Sequence, residues 1–591
     1  MNRNPSQSLL ECMQLRIVSL VACAVIAFTC QLQVVAQKPA QSKAARIDAV
    51  MTAANKYRLF NGSVLVAENG KIIYKKGLGL ANMEWNIPNA PDTRFRLGSI
   101  TKQFTAMLVM QLVAQGKIKL DGKIGEYLPD YRKDIGEKVS IHNLLTHTSG
   151  IPNYTAFPGF FNDVSRDPYT VPEFVKKYAS NDLEFEPGSK FSYSNSGYFV
   201  LGAIIEKVTG QPYEQVLKER IFDPIGMKNT GYDHYATVLE KRAAGYQKTP
   251  DGYLNAPYLD MSLPFAAGAL YSTAEDLYLW DQALYKDRLL SAQSKELMFK
   301  PFLADYAYGW AITKARLGTG TETTPQISHD GGINGFSTLI VRLPAQRNLI
   351  VLLDNTGQGG LRRISQELTN ILYDQPFDLP KMPVTDVVLQ TFVEKGSDAG
   401  LAQYRDLKTR QSNIYDFSEP EVNRLGYQLL GAKKPLEAIE VFKLNVAEFP
   451  KSANTYDSLG EAYMINGNNE LAIQNYKKSI ELDPQNVNAA AMIKRMETKT
   501  AAVAVNPNSY DAYVGEYEVT PTFVVKVFRE GDKLMTQATN QPPFELTPEG
   551  SDNFFLKVVN AKVSFVKDDK GQVTGLVIHQ GGRDVPGKKI K

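Results

Sequence analysis

Apolar and polar positions along the chain alternate in three different rhythms, and the rhythm changes twice. From residue 43 to about 380 the pattern mixes helical stripes with β-branched runs. Ile47, Val50, Met51 and Ala54 share one side of a helix predicted over 43–57, and Ile100, Phe104, Met107, Leu108 and Leu112 recur at helical spacing in 98–116, where Gly116 ends the run. Residues 199–208 form a further helix closed by Gly210, and Leu361, Ile364, Leu368, Ile371 and Leu372 mark a last one. Two β-branched runs in 62–77 flank Asn69-Gly70, a strong hairpin signal. Runs at 335–342 and 348–354, joined through Pro344-Ala-Gln-Arg347, predict a second antiparallel pair. This segment therefore reads as α/β, with helices and antiparallel strand pairs mixed along it.

Past Pro380–Pro383 the strand signal stops. Residues 381–418 read as a helical linker, and from 419 to 500 the chain repeats. Leu425 and Leu459, Gly426 and Gly460, Ala438 and Ala472, Phe442 and Tyr476, and Pro450 and Pro484 are each 34 residues apart. That period and residue pattern are those of tetratricopeptide (TPR) helical hairpins. Two repeats are too few for an independent solenoid, so they are expected to pack on the linker helix or a neighbour. In 508–591 short alternating runs (523–528, 533–537, 554–559, 563–566, 573–579) separated by turns predict a small antiparallel β domain.

Composition adjusts this picture at the N-terminus. Arg3 and Arg16 precede an apolar run from Ile17 to Thr29, and Val34-Val35-Ala36 supplies small residues for cleavage, so residues 1–36 are expected to be a secretory leader. An uncleaved membrane anchor is the alternative, although the run is short for a span; a lipid-attachment site at Leu20-Val-Ala-Cys23 is a further one. All three cysteines (Cys12, Cys23, Cys30) lie in this leader, so a mature chain from 37 has neither disulfide nor thiol nucleophile. The formal net charge is +3, and no basic run or basic–aromatic stripe appears, which argues against nucleic acid as a partner. The expected location is periplasmic or extracellular.

Candidate chemistry begins at Ser99 and Lys102. Three residues apart on a helix, the two side chains share a face. A serine hydroxyl is a weak nucleophile until a base takes its proton, and a desolvated lysine amine can serve as that base. The same spacing recurs at Ser564 and Lys567, where Val563-Ser-Phe-Val-Lys567 alternates like a strand and an odd spacing puts the two on opposite faces. Two more short motifs follow the first copy in order: Tyr193-x-Asn195, and His329-x-Gly331 with Gly332 behind it.

With the hairpin before the first motif and strands after the last, residues 37–380 resemble the class C β-lactamase-like serine hydrolases, the group that includes penicillin-binding DD-peptidases, D-aminopeptidases and related esterases. The resemblance also covers Leu144–Pro152, Pro187–Tyr198, Asp223-Pro-Ile-Gly-Met227 and 268–273. The last domain looks like the small β domain often appended to such enzymes. The resemblance implies a β-lactamase/DD-peptidase-like α/β fold, an antiparallel sheet flanked by helices plus a helical domain, and an acyl-enzyme on Ser99, with proton handling shared by Lys102 and Tyr193. It implies that Asn195 holds Lys102 and the substrate amide. It implies an oxyanion hole from the backbone N–H groups of Ser99 and Gly332, with His329, Gly331 and Gly332 along the substrate.

One departure bears on the substrate. Relatives that open penicillins usually carry Lys-Thr-Gly where this chain has His329-Asp-Gly. A histidine titrates near neutrality whereas a lysine is a permanent charge, so pairing of His329 with a substrate carboxylate is expected to fade between about pH 6 and 8. An esterase, amidase or D-peptidase is favoured. A β-lactamase proper stays open, as does a non-catalytic peptidoglycan- or peptide-binding protein using the hydrolase fold and the repeats. Neither a Gly-x-Ser-x-Gly elbow nor a His-Glu-x-x-His pair is present, and no cofactor or metal is expected. The expected partners are a small-molecule or peptide substrate, such as one derived from the cell wall, and a protein or peptide at the repeats.

Overall fold

The structure, a computed structural model, describes residues 41–249, 252–500, 507–520, 523–539, 541–548, 552–556, 561–580 and 583–591. The expected leader lies outside them. The chain divides into two compact units, Met1–Lys381 and Met382–Lys591.

The first unit is built on a six-stranded antiparallel sheet. Strands β1 (Gly62–Glu68) and β2 (Lys71–Leu78) form the hairpin. Strands β3 (Ala311–Arg316), β4 (Thr323–Ile333), β5 (Phe336–Leu343) and β6 (Asn348–Asp354) follow much later, and β6 closes on β1 to give the order β3-β4-β5-β6-β1-β2. Residues 327–332, expected to precede the strands, lie within β4, the longest strand of the sheet, a half-polar run whose alternation is broken by Gly331-Gly332.

Both faces of the central strands are covered. On β1, Val64 and Val66 face helices α1 (Lys43–Lys56) and α4 (Leu361–Leu372), while Leu65 and Ala67 join the larger core on the opposite face. On β6, Ile350 and Leu352 take the first side and Leu349, Val351 and Leu353 the second. Burial on both faces is why these strands read as continuous apolar runs. The larger core is organised on helix α2 (Thr101–Ala114), in which every residue from Thr101 to Met110 is buried, and on α3 (Asn195–Thr209). The stripe seen in sequence understates α2: it is surrounded, not amphipathic.

In the second unit, helix α5 (Thr385–Gln411) carries Val388, Phe392, Tyr404 and Leu407 into one core with Val422, Leu425 and Leu429 of α6 (Glu419–Gly431) and Ala438, Val441 and Phe442 of α7 (Pro435–Glu448). Helices α8 (Ala453–Ile465) and α9 (Asn469–Leu482) form the second hairpin, followed by α10 (Val487–Thr500). The repeated glycines have a packing cause. A Cβ on Gly426 would lie 2.4 Å from the Phe442 ring, and one on Gly460 would lie 3.1 Å from the Tyr476 ring. The remaining strands, β7 (Gly515–Thr520), β8 (Phe523–Glu530), β9 (Lys533–Ala538), β10 (Phe544–Pro548), β11 (Asn553–Leu556), β12 (Ala561–Lys567), β13 (Val573–Gln580) and β14 (Arg583–Lys589), form a closed barrel around Tyr517, Val527, Phe554 and Phe565. Five of these strands match the alternating runs of the sequence, the run at 554–559 extending into residues outside those described; β7, β10 and β14 have no such run, because polar residues dilute their alternation.

Candidate active site

Ser99 sits in a 3-10 turn, Gly98–Ile100, that leads directly into α2. Gly98 has φ +55°. The turn is pressed against β4: a Cβ on Gly98 would come within 3.0 Å of the Gly332 nitrogen, and one on Gly331 would sit 1.9 Å from the Leu97 carbonyl oxygen. Thr338 on β5 donates its hydroxyl to that same carbonyl at 2.7 Å. The two elements therefore lock together only if both positions are glycine. This revises the expectation for Gly331. It is buried under the turn and lines neither cavity at Ser99, so it sets the spacing of turn and strand, whereas Gly332 is exposed and borders both.

Lys102 is fully buried. Its Nζ lies 2.7 Å from Asn195 Oδ1, 2.9 Å from the Ala267 carbonyl oxygen and 3.1 Å from Ser99 Oγ. Burial drives its pKa well below that of a free lysine, opposed by the charge of Asp330. The geometry suits a neutral amine. Two N–H bonds go to the two oxygens that can only accept, leaving the lone pair facing the Ser99 hydroxyl. The amide of Asn195 is oriented by Asn153, whose Oδ1 accepts from both the Asn195 backbone N–H (3.1 Å) and Nδ2 (3.2 Å).

Tyr193 borders the same cavity as Ser99, and burial raises its pKa above the usual phenol value, partly offset by the Ser99 side chain, so it stays protonated. Lys102 Nζ lies 4.9 Å from the centre of the Tyr193 ring. Tyr193 is clamped by His147, to which none of the sequence motifs assigns a role. Its carbonyl accepts from Ser192 N–H (2.8 Å) and its Nδ1 accepts from Ser194 N–H (3.1 Å), bracketing Tyr193 on both sides, while the rings pack at 4.1 Å. His147 is 1% exposed, has φ +56°, and is kept neutral by burial. Nothing in the sequence spacing pairs position 147 with 192 and 194; the bonds run from backbone to ring.

His329 is at the site but not in the state expected. Its Nδ1 donates to the Asp330 carbonyl at 2.6 Å, which leaves Nε2 to accept the Tyr306 hydroxyl at 2.9 Å. Burial and the nearby Lys102 lower its pKa to about 4. A neutral, doubly bonded imidazole holds no substrate carboxylate by charge, so the expected fading of such a pairing between pH 6 and 8 is corrected.

Two cavities meet at Ser99 and Gly332. One, of about 370 Å³, is bordered by Tyr193, Tyr306, His329, Asp330 and Arg362. The other, of about 350 Å³, holds Asn195 beside an apolar wall that includes Tyr154, Phe160, Phe161, Leu259, Leu263 and Phe336. A serine with an internal base, a protonated tyrosine and two flanking subsites is equipped for acyl transfer.

Residues 44–371 match the Beta-lactamase family, and the chain belongs to it. It is a serine hydrolase of that fold, similar in sequence to penicillin-binding proteins and an esterase. Penicillin-binding protein 4* of Bacillus subtilis (strain 168) is 31% identical over 367 residues, spanning 58% of this chain and 79% of that protein. Esterase EstB of Burkholderia gladioli is 36% identical over 206 residues, spanning 33% of this chain and 52% of that one. In structure, the octameric penicillin-binding protein homologue from Pyrococcus abyssi matches with a TM-score of 0.51 at 19% identity, covering 92% of this chain and 99% of that chain, a likeness of fold. Residues 460–489 match the TPR repeat, and 499–589 match a domain of unknown function (DUF3471).

Proposed function

We propose that the enzyme hydrolyses neutral esters or amides carrying an apolar acyl group, through an acyl-enzyme on Ser99. The observation that carries this reading is the buried Lys102 amine, held by Asn195 and Ala267 with its remaining face on Ser99 Oγ. Lys102 takes the Ser99 proton as Oγ bonds to the carbonyl carbon, and the backbone N–H groups of Ser99 and Gly332 receive the oxyanion. The bond to the leaving group then breaks, and the leaving atom takes the proton through Lys102 and Tyr193. Water repeats the sequence against the acyl-enzyme and restores Ser99. Tyr193 borders only the cavity that carries Asp330 and Arg362, so that cavity takes the leaving group, and the one with the apolar wall takes the acyl part. The absence of any Lys, Arg or Asp among the residues lining the acyl cavity supports an uncharged acyl group. Similarity to an esterase and to penicillin-binding proteins supports the ester and amide classes.

The reading extends to an exported protein with residues 1–36 removed, and to docking of a peptide or protein at the repeats. Turnover of the purified full chain and of Ser99→Ala on p-nitrophenyl esters, D-amino-acid amides and nitrocefin tests the chemistry. Neutral esters or amides should be turned over fastest, and only with Ser99 present. The intact mass of the protein recovered from the producing cell tests the leader.

A further inference from the structure

Among the described residues, Arg362, in the first turn of α4, is the one permanent cation that lines the leaving-group cavity, and none lines the acyl cavity. Its guanidinium is bonded to the carboxylate of Asp330, the outward-facing residue between His329 and Gly331 on β4. Both side chains reach solvent, at 59% and 62% exposure. Lys190 lies over the Phe185 ring and borders neither cavity.

We propose that Arg362 is a carboxylate subsite on the leaving-group side, and that Asp330 fills it from within the chain. The enzyme thereby selects neutral leaving groups against those carrying a carboxylate close to the scissile bond. This rests on the proposed assignment of the two cavities. The physical basis is threefold. A guanidinium beside the nucleophile, on the side where the leaving group departs, is the group that would hold a substrate carboxylate in two-point fashion. Asp330 is tethered next to it, and an intramolecular carboxylate competes at a high effective concentration with one arriving from solution. A substrate carboxylate also meets the negative charge of Asp330 directly, and like charges brought together are strongly unfavourable. The ion pair itself is exposed and contributes little to stability, so it can be dismantled without endangering the fold. The charge of Asp330 is also felt inside the site, where it raises the pKa values of Lys102 and Tyr193.

The test compares wild type, Asp330→Asn, Arg362→Ala and the double variant of the full chain on nitrocefin, whose carboxylate is on the leaving-group side, and on p-nitrophenyl butyrate, which is neutral. The ratio of the two kcat/KM values should rise about tenfold in Asp330→Asn and fall back to the wild-type ratio in the double variant. Asp330→Asn should also shift the acid limb of the p-nitrophenyl butyrate profile to lower pH, because Lys102 loses a charge that favours its protonated form. A binding arm in the Ser99→Ala background needs no turnover: the nitrocefin Kd should fall about tenfold with Asp330→Asn and recover with Arg362→Ala added. An unchanged ratio and Kd in Asp330→Asn would overturn the proposal, as would a gain that survives loss of Arg362. Absence of Ser99-dependent turnover on both substrates would instead overturn the functional reading, and the binding arm would then decide the subsite by itself.

Discussion

Ser99–Lys102 and Ser564–Lys567 share one spacing and nothing else. On the first copy the chain is helical, the lysine is fully buried, and its amine is 3.1 Å from the serine. On the second copy the chain is strand β12. Ser564 bonds to His579 Nε2 at 3.0 Å, and Lys567 pairs with Asp552 at 2.5 Å on the surface of the barrel. A helix brings residues three apart onto one face and a strand separates them, so the backbone decides which pair can exchange a proton. Burial decides whether the lysine can act as a base. Lys102 is pushed well below the ordinary lysine range by lost hydration, whereas Lys567 keeps a carboxylate partner and access to solvent.

The sharpest break between the copies is expected from the serines. Ser99→Ala should lower kcat/KM by about a thousandfold or more in a folded protein, and Ser564→Ala should leave it as in wild type; steady-state kinetics with a circular dichroism check separates them. Next in size is Lys102→Gln, which removes the base and should cost about a hundredfold or more. Its sign with pH follows from the lowered pKa. The neutral amine is the active form, so wild-type activity rises with pH as Lys102 loses its proton, through a limb well below the free-lysine value, and that limb disappears in Lys102→Gln. His329, at about 4, contributes no limb between about pH 6 and 8, which a kcat/KM profile over that range checks directly.

How far these contrasts could be read beforehand depends on the kind of contact. Ser99, Lys102, Tyr193 and Asn195 come from short motifs whose spacing carries the geometry, and Gly426 and Gly460 declare themselves by repeating. The roles of His147 and Asn153 are not written that way. His147 acts through its own carbonyl and ring against backbone N–H groups 45 and 47 residues away, and Asn153 through one oxygen shared by two donors of Asn195. His329 was legible as a site residue but not as a neutral one, because its state is set by Tyr306 and by burial. Arg362 escaped notice because the helix that carries it reads as plain apolar periodicity.

A smaller effect follows for the clamp. His147→Phe keeps an aromatic ring on Tyr193 but loses the acceptor for Ser194 N–H, so kcat should fall by about tenfold with little change in KM; His147→Asn, which restores an acceptor without the ring, should recover part of the loss. The smallest is expected from removing the second copy altogether. A chain ending at Lys381 contains the whole first unit, and its kcat/KM on a small ester should stay within about twofold of the full chain.

The most direct test of the claim that helix and burial, not spacing, make the nucleophile is covalent labelling. Treating the full-length protein with a fluorophosphonate and mapping the adduct by peptide mass spectrometry should place it on Ser99, with labelling slowed in Lys102→Gln and Ser564 unmodified. An adduct on Ser564, or labelling of Ser99 at the same rate without Lys102, would contradict the account.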